Sequence, residues 1–469
     1  MPVTPLSAEF QHACLGDSRL VARLCLIANT LSARPEASLP EVHENDSQLE
    51  ATYRFFSNSK VSAEDVLAAH TLSTVRRAAA RETVLVVHDT TSFTFGGHRC
   101  GLGRVGTGAP EGFYAHYSLC VGLDGCPLGT VGLQAWRRTQ PPKGRRRQQE
   151  SQYDPDRESL RWNEGVHETD EVLKGHAEAI HVMDREGDCM ELFADMLEHE
   201  RRFIVRVAHD RRLVVNRRAR TVPKLYQALA TAPNIVEREV RCVAHKRVGK
   251  GATKARTTSW PSLRRAHLSI RAQTHDISPG NGAHAHIPDL LRLNFVEVVE
   301  LSPPEGMEPV QWRLVTTEPI ETVDQVLQVV DSYRLRWLIE EFNKALKTGC
   351  NFEALQLETG EALIRALVVY TAVAWQLLLL RWMDRKAPLQ PAGEVLSPSQ
   401  MKTLIALNRQ KNKPLPEAPS VHDVLMAIAQ LGGHLPHNGA PGWLVIRRGF
   451  DKLRLIELGW TLRTQLDTG

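Results

Sequence analysis

Paired cysteines, a long apolar run, internal repeats and a strong charge of either sign are all missing from this sequence. Eight cysteines (14, 25, 100, 120, 126, 189, 242 and 350) are scattered over 469 residues without a Cys-x2-Cys pair. That excludes a zinc ribbon, offers no disulfide framework and fits a reducing, cytoplasmic setting. The formal net charge is only +4, so any nucleic-acid surface has to be a local patch. No basic stretch followed by an apolar one opens the chain, so no signal peptide is expected. The most apolar run, Ala366 to Leu380, falls short of the ~20 residues that a membrane span needs. It reads as part of a buried core helix, about 362–382, and no membrane partner is expected.

What is present is an ordinary globular composition, 42% apolar and 24% charged, at a length that suits roughly two to four domains. Residues 1 to about 65 read as helical. Asp17 and Ser18 are placed to cap a helix with Leu20, Leu24, Ile27 and Leu31 inside and Arg19 and Arg23 outside. Ser47 and Glu50 form a capping box for a helix through Tyr53, Phe55 and Phe56, and Ser62 opens another that runs to about Ala80. A small bundle bearing a pair of arginines is compatible with DNA binding.

Two apolar runs then end in aspartate. Thr83-Val-Leu-Val-Val-His-Asp89 predicts a buried strand with its carboxylate near the tip, or an Asx-turn onto the Thr pair. Ala179-Ile-His-Val-Met-Asp184 opens a βαβ unit over 180–207, which sets Asp184 at a carboxyl strand end, where open α/β sheets place their sites. Between the two lies Gly101-Leu-Gly-Arg-Val-Gly106. It has no following helix, so it is a glycine-rich loop before a hairpin turning at Asp124-Gly125, and not a dinucleotide fingerprint. A basic, strand-like stretch, about 211–315, follows with turns at Pro279 to Gly282 and Pro303-Pro304. The runs Lys143 to Arg147 and 241–256 read as basic loops.

Residues Tyr333 to Lys347 predict an amphipathic helix. At ~100° per residue, Tyr333, Arg336, Glu340, Lys344 and Lys347 fall within ~80° of arc, opposite Leu335, Leu338, Ile339, Phe342 and Leu346. Such a face is often solvated and laced with ion pairs, but Trp337 on its edge is out of place there. The spacing Tyr-x2-Arg-x3-Glu-x6-Lys resembles the signature of DDE transposases of the insertion sequence four family, the family of the Tn-five transposase. Leu15 to Leu24, Thr52 to Asn58, Asp184-Arg-Glu-Gly-Asp188 and Arg202-Phe-Ile-Val-Arg206 resemble the same family.

The resemblance implies an α/β fold, an RNase H-like core with a β-rich insertion (about 211–315), flanked by helical domains. The domains would be 1–68 for DNA end recognition, 69–385 for catalysis and 386–469 for dimerisation. It implies cut-and-paste transposition by a synaptic homodimer on double-stranded DNA, with excision through a hairpin. Asp89, Asp184 and Glu340 would ligate two Mg²⁺ or Mn²⁺ ions; Glu341 competes for the third place but lies ~80° off the polar stripe. Tyr333, Arg336, Lys344 and Lys347 would hold terminal phosphates, supported by Arg185 and Arg206. Arg19 and Arg23 belong to the end-recognition bundle. Trp312 and Trp337 match residues that accommodate a flipped base, although a tryptophan in a strand such as Trp312 is more often core. Two other expectations compete, an RNase H-like nuclease without transposition and a non-catalytic repressor; the intact triad argues against the second.

Overall fold

The computed structural model describes residues 5–467 apart from 44, 98, 107–110, 139–157, 215–222, 244–262, 279–286, 387, 390, 436 and 438–439. The basic run Lys143 to Arg147, the 241–256 stretch beyond Val243 and the turn Pro279 to Gly282 lie outside the described residues.

The chain opens with helices α1 (Ser18–Ala33), α2 (Asp46–Ser57) and α3 (Ala63–Ala78). Asp17 caps α1 by accepting from the Arg19 amide at 2.8 Å, and Ser62 caps α3 by accepting from Asp65 at 3.0 Å. The expected cap of α2 is corrected: Asn45, not Ser47, accepts from Gln48 at 3.0 Å. Starting earlier brings Asp46 into the first turn, where its charge favours the helix dipole. Residue 68 lies inside α3, so the bundle runs into the next layer without a linker.

A ten-stranded sheet follows. Its strands are β1 (Thr83–Phe95), β2 (Gly103–Arg104), β3 (Glu111–Gly122), β4 (Pro127–Trp136), β5 (Glu178–Met183), β6 (Arg202–Arg206), β7 (Val236–Val243), β8 (Leu263–Ile277), β9 (Leu291–Glu300) and β10 (Gln311–Thr316). Helices α4 (Leu160–Leu173), α5 (Met190–Glu198) and α6 (Leu225–Thr231) are interspersed. The order is β2-β3-β1-β5-β6-β10-β9-β8-β7, with β4 also on β3. β1, β5 and β6 run parallel, and α5 makes the expected crossover between β5 and β6. The β-rich stretch is no separate layer, because β10 pairs antiparallel with β6 and extends the same sheet through β9, β8 and β7.

β1 is longer than its apolar run. Val84 to His88 are buried on both faces, as in a central strand; the chain then continues through Thr90 to Phe95, paired with β3 throughout. Asp89 is therefore at mid-strand, a correction to the expected tip. The β3–β4 hairpin does turn at Asp124-Gly125, where Gly125 sits at φ +83°, open to glycine without strain.

The expected single helix over 333–347 is divided. α7 (Val323–Arg334) ends, Leu335 and Arg336 make a turn, α8 (Trp337–Lys344) restarts, and 345–349 form a π-helical turn. Behind them, α9 (Gly360–Lys386) is long and apolar enough to cross a membrane, but 72% of its apolar window is buried inside the protein. It is the spine of a core that joins α1, α2, one face of the sheet and α8 in one apolar cluster. Each fully buried aliphatic side chain there contributes roughly 1.5–3 kcal/mol. Arg365 of α9 donates to Val61 O at 2.7 Å and Phe56 O at 3.1 Å, tying the amino-terminal helices to the spine. The carboxy-terminal helices α10 (Pro398–Gln410), α11 (Val421–Leu431) and α12 (Trp443–Asp467) gather their own apolar cluster around Leu404, Val424, Ile428 and Leu453.

Candidate active site

The parallel pairing of β1 with β5 reaches Val87 opposite Val182. Asp89 and Asp184 each lie two residues further, at the same level of neighbouring strands. Asp184 leaves β5 as the cap of a short 3₁₀ turn, its Oδ1 accepting from the Glu186 amide at 2.8 Å. α8 lies across β1 and β3, docked by Phe342 edge-on to Tyr117 with ring centroids 5.1 Å apart. Its first turn carries Glu340, whose Oε1 accepts from Arg336 at 3.2 Å.

The charges of the other two carboxylates act on Asp89. Burial first, then the charges of Glu340 and Asp184, push the Asp89 carboxyl up to about 7, with Arg336 opposing and Glu186 adding to the rise. Burial and the Asp184 charge also raise Glu186. Hard oxygen donors crowded in this way suit divalent cations. Among the described residues, no three His, Cys, Asp or Glu side chains are grouped so that they could hold a metal ion as they stand. One oxygen of each acid is engaged by protein instead: Asp89 Oδ2 by Asn343, Asp184 Oδ1 by the Glu186 amide and Glu340 Oε1 by Arg336.

The competitor Glu341 and the nearby Asp188 are both engaged elsewhere. Glu341 is buried, ion-paired with Arg381 of α9, 3.3 Å from Trp337 Nε1 and 3.9 Å from Lys344 Nζ. Asp188 is buried beneath the site; its Oδ2 accepts from the amides of Ala208 and His209 at 2.6 and 2.9 Å, and it pairs with Arg211.

Cations collect on one flank. Arg206 lies near Tyr333, Arg185 and Arg336, and desolvation lowers its pKa. Arg185 is exposed. Lys347 is half-buried over the Phe93 ring at 5.3 Å, with Glu353 and Asp89 among the charges acting on it. Lys344 belongs to the other side, 4.6 Å from the ring of Trp337, which is 54% exposed. Tyr333 is a correction: its ring is buried, not on a polar face, because it sits on the last turn of α7 before the break. Trp312 is partly buried and packs edge-on against it at 5.6 Å. Arg19 and Arg23 are not part of this cluster; on α1, Arg19 pairs with Asp17 at 2.9 Å and Arg23 lies beside His43.

Sequence reasoning missed Asn343, Arg381 and a buried polar chain on the other face of the sheet. There His88 Nε2 meets His181 Nδ1 at 2.9 Å, His181 meets Asp170 at 2.9 Å, and Ser118 meets His88 at 3.1 Å. The two histidines of the strand motifs, one residue before Asp89 and three before Asp184, were the available signal.

Residues 5–61 match the family described as Transposase DNA-binding, and residues 166–376 match that described as Transposase DDE domain. Together the matches span more than half of the chain. The second includes Asp184 and Glu340 and begins beyond Asp89.

Proposed function

Because the chain is a DDE transposase, a metal-dependent enzyme that cleaves DNA and transfers strands, we propose that it moves a DNA element by cut and paste, as a member of the insertion sequence four family. Asp89, Asp184 and Glu340 are the catalytic carboxylates. What supports this reading above all is that Asp89 and Asp184 stand at the same level of neighbouring parallel strands, with the charges of Glu340 and Asp184 both acting on the buried Asp89 carboxyl. The oxygen-only donor set fits Mg²⁺ or Mn²⁺, and all three side chains would hold a pair of such ions. When bound, the ions supply an activated water or 3′-hydroxyl and stabilise the leaving oxygen at phosphorus.

The protein's own part is to place the DNA. Arg336 and Arg206, which both act on the Tyr333 hydroxyl, Arg185 beside Arg206, and Lys347 over Phe93 of β1 form the cradle for terminal phosphates, which guanidinium forks suit well. Trp337, exposed beside Lys344, and Trp312 accommodate the base flipped out when the end bends into a hairpin. Residues 1–68 bind the element's ends, with Arg19 and Arg23 of α1 facing DNA, residues 69–385 carry the chemistry, and 386–469 join two copies in the synaptic homodimer. Support for the last comes from α12, which exposes Leu455 (61%), Ile456 and Leu458 along one stretch.

The test is a set of single variants on an end-labelled duplex. Asp89→Ala, Asp184→Ala and Glu340→Ala should lose cleavage to background while binding DNA ends within about twofold of wild type, since affinity comes mainly from phosphate contacts. A Glu340→Ala enzyme that cleaves normally, beside an inactive Glu341→Ala, would overturn the assignment. A plasmid carrying candidate ends separates transposition, where the insert is released and rejoined, from simple nicking.

A further inference from the structure

A single side chain ties the helix that carries Glu340 to the strand that carries Asp89. Asn343 Nδ2 donates to Asp89 Oδ2 at 2.9 Å. Asn343 lies three residues after Glu340, so both leave the same face of α8. The other amide atom, Asn343 Oδ1, is buried and has no hydrogen-bond partner among the described residues.

With Asp89 ionised, as a metal ligand must be, turning the amide over would not relieve that atom, because it would set a carbonyl against a carboxylate, acceptor to acceptor. The orientation is thus dictated by Asp89, and the side chain leaves its own carbonyl unsatisfied to keep an N–H on the carboxylate. A purely structural tie between α8 and the sheet has no need of that arrangement, since Phe342 against Tyr117 of β3 already docks the helix.

The neutrality of the donor matters as much as its position. Lysine or arginine here would also grip Asp89, but its charge would compete with a metal ion for the same carboxylate. The cations near Asp89 make their direct contacts with other groups: Arg336 bonds Glu340, and Lys347 lies over Phe93 with Glu353 also acting on it. An amide fixes one oxygen of the carboxylate without cancelling its charge. Ligands of metal sites are commonly oriented by such outer partners, whose loss costs about 10–100-fold in metal affinity or activity.

We propose that Asn343 is a positioning residue of the cleavage site, holding Asp89 Oδ2 so that the carboxylate keeps one orientation and its other oxygen is available to a divalent cation. The proposal rests on the reading of Asp89 as a metal ligand. Its test uses the full-length protein without DNA, titrated with Mn²⁺ and followed by electron paramagnetic resonance, alongside cleavage of an end-labelled duplex over a range of Mn²⁺ concentrations.

Asn343→Ala should weaken Mn²⁺ binding by about 10–100-fold and move half-maximal cleavage to correspondingly higher Mn²⁺, with much of the rate restored at saturation and DNA-end binding unchanged. Asn343→Gln, which keeps the amide on a longer arm, should fall between Ala and wild type. In an Asp89→Ala background, adding Asn343→Ala should weaken Mn²⁺ binding no further. An Asn343→Ala protein that melts earlier but binds Mn²⁺ with wild-type affinity has lost only a structural contact, and the proposal fails. If Asn343→Ala does not fold by circular dichroism, Asn343→Gln carries the same comparison, and unaltered Mn²⁺ affinity there overturns the proposal. Wild-type Mn²⁺ binding and cleavage by Asp89→Ala alone would sink the reading of the site itself, whatever Asn343 does.

Discussion

Asp89→Asn is expected to make the metal-free protein more stable while abolishing cleavage. The Asp89 carboxyl is raised from 3.8 to about 7, by burial and by its acidic neighbours Glu340 and Asp184. At 1.36 kcal/mol per unit, that displacement corresponds to a destabilisation on the order of 4 kcal/mol when the group is ionised. The sign follows from where the proton sits. Below about pH 3.8 the carboxyl is protonated in both folded and unfolded chains, and the variant gains nothing. As the pH rises towards 7 the unfolded chain gives up the proton while the folded one keeps it, so the wild type loses stability; above 7 the loss is complete. Asparagine avoids it, and its carbonyl can still accept from Asn343. An unfolding entropy of ~2.1 cal/mol/K per residue makes ~1 kcal/mol/K for a chain this long, so the melting point should rise by about 4 °C at pH 8. The assay is differential scanning calorimetry at pH 4 and pH 8, with and without Mg²⁺, which should raise the wild-type melting point and leave that of Asp89→Asn in place. An Asp89→Asn protein no more stable than wild type at pH 8, or a gap as large at pH 4 as at pH 8, would refute the argument.

Glu341→Gln should cost about 3–5 kcal/mol, because it strips a buried partner from Arg381, yet leave cleavage per folded molecule near wild type; denaturant unfolding and active-site titration check the two halves. Glu9→Gln tests a linkage of opposite sign. Burial works to raise Glu9, but hydrogen bonds and charges from His70 and Arg77 hold it at about 2. The ion pair's stability is therefore present above about pH 4.5 and lost as the pH falls through about 2, so the variant should lose up to about 3 kcal/mol at pH 7 and less at pH 3; an equal loss at both would contradict this. Of the tryptophans, half-buried Trp312→Ala should lower stability by about 2–3 kcal/mol and also slow hairpin formation. Exposed Trp337→Ala should leave stability within about 0.5 kcal/mol and act on the hairpin step alone, as a time course resolving nicked, hairpin and blunt products would show.

Much of this arrangement is legible in local sequence. A strand ending at Asp184, the crossover to β6, the hairpin turning at Asp124-Gly125, the Ser62 cap and the buried spine of α9 all follow from periodicity and turn chemistry acting over a few residues. What escaped depends on distant partners. The length of β1 past Asp89 is set by pairing with β3, and the joining of β10 to β6 closes a span of about a hundred residues that no local pattern announces. The break at Leu335-Arg336 contains neither glycine nor proline, so the helical period runs through it unmarked and carries Tyr333 to the wrong face. Asn343 was invisible for a different reason: an uncharged residue on a helix gives no sign that its partner is a carboxylate 254 positions away.

Several local rules are broken around α8, as they are at other points of the protein. Asp89 is held where its charge is costly, Asn343 Oδ1 and Arg336 Nη1 are buried without hydrogen-bond partners among the described residues, and a π-helical turn follows α8 directly. A fold selected only for stability would pair or expose these groups, each of which costs about 1–3 kcal/mol when left unsatisfied. The surroundings offset that cost: Ile339 and Phe342 are buried in the common core, and Glu341 is anchored to α9 through Arg381. Stability is drawn from one face of α8 and spent on the other. The contrast in partners, Glu341 locked to Arg381 in the core and Glu340 held at 38% exposure beside Arg336, separates the two glutamates more sharply than helical spacing does.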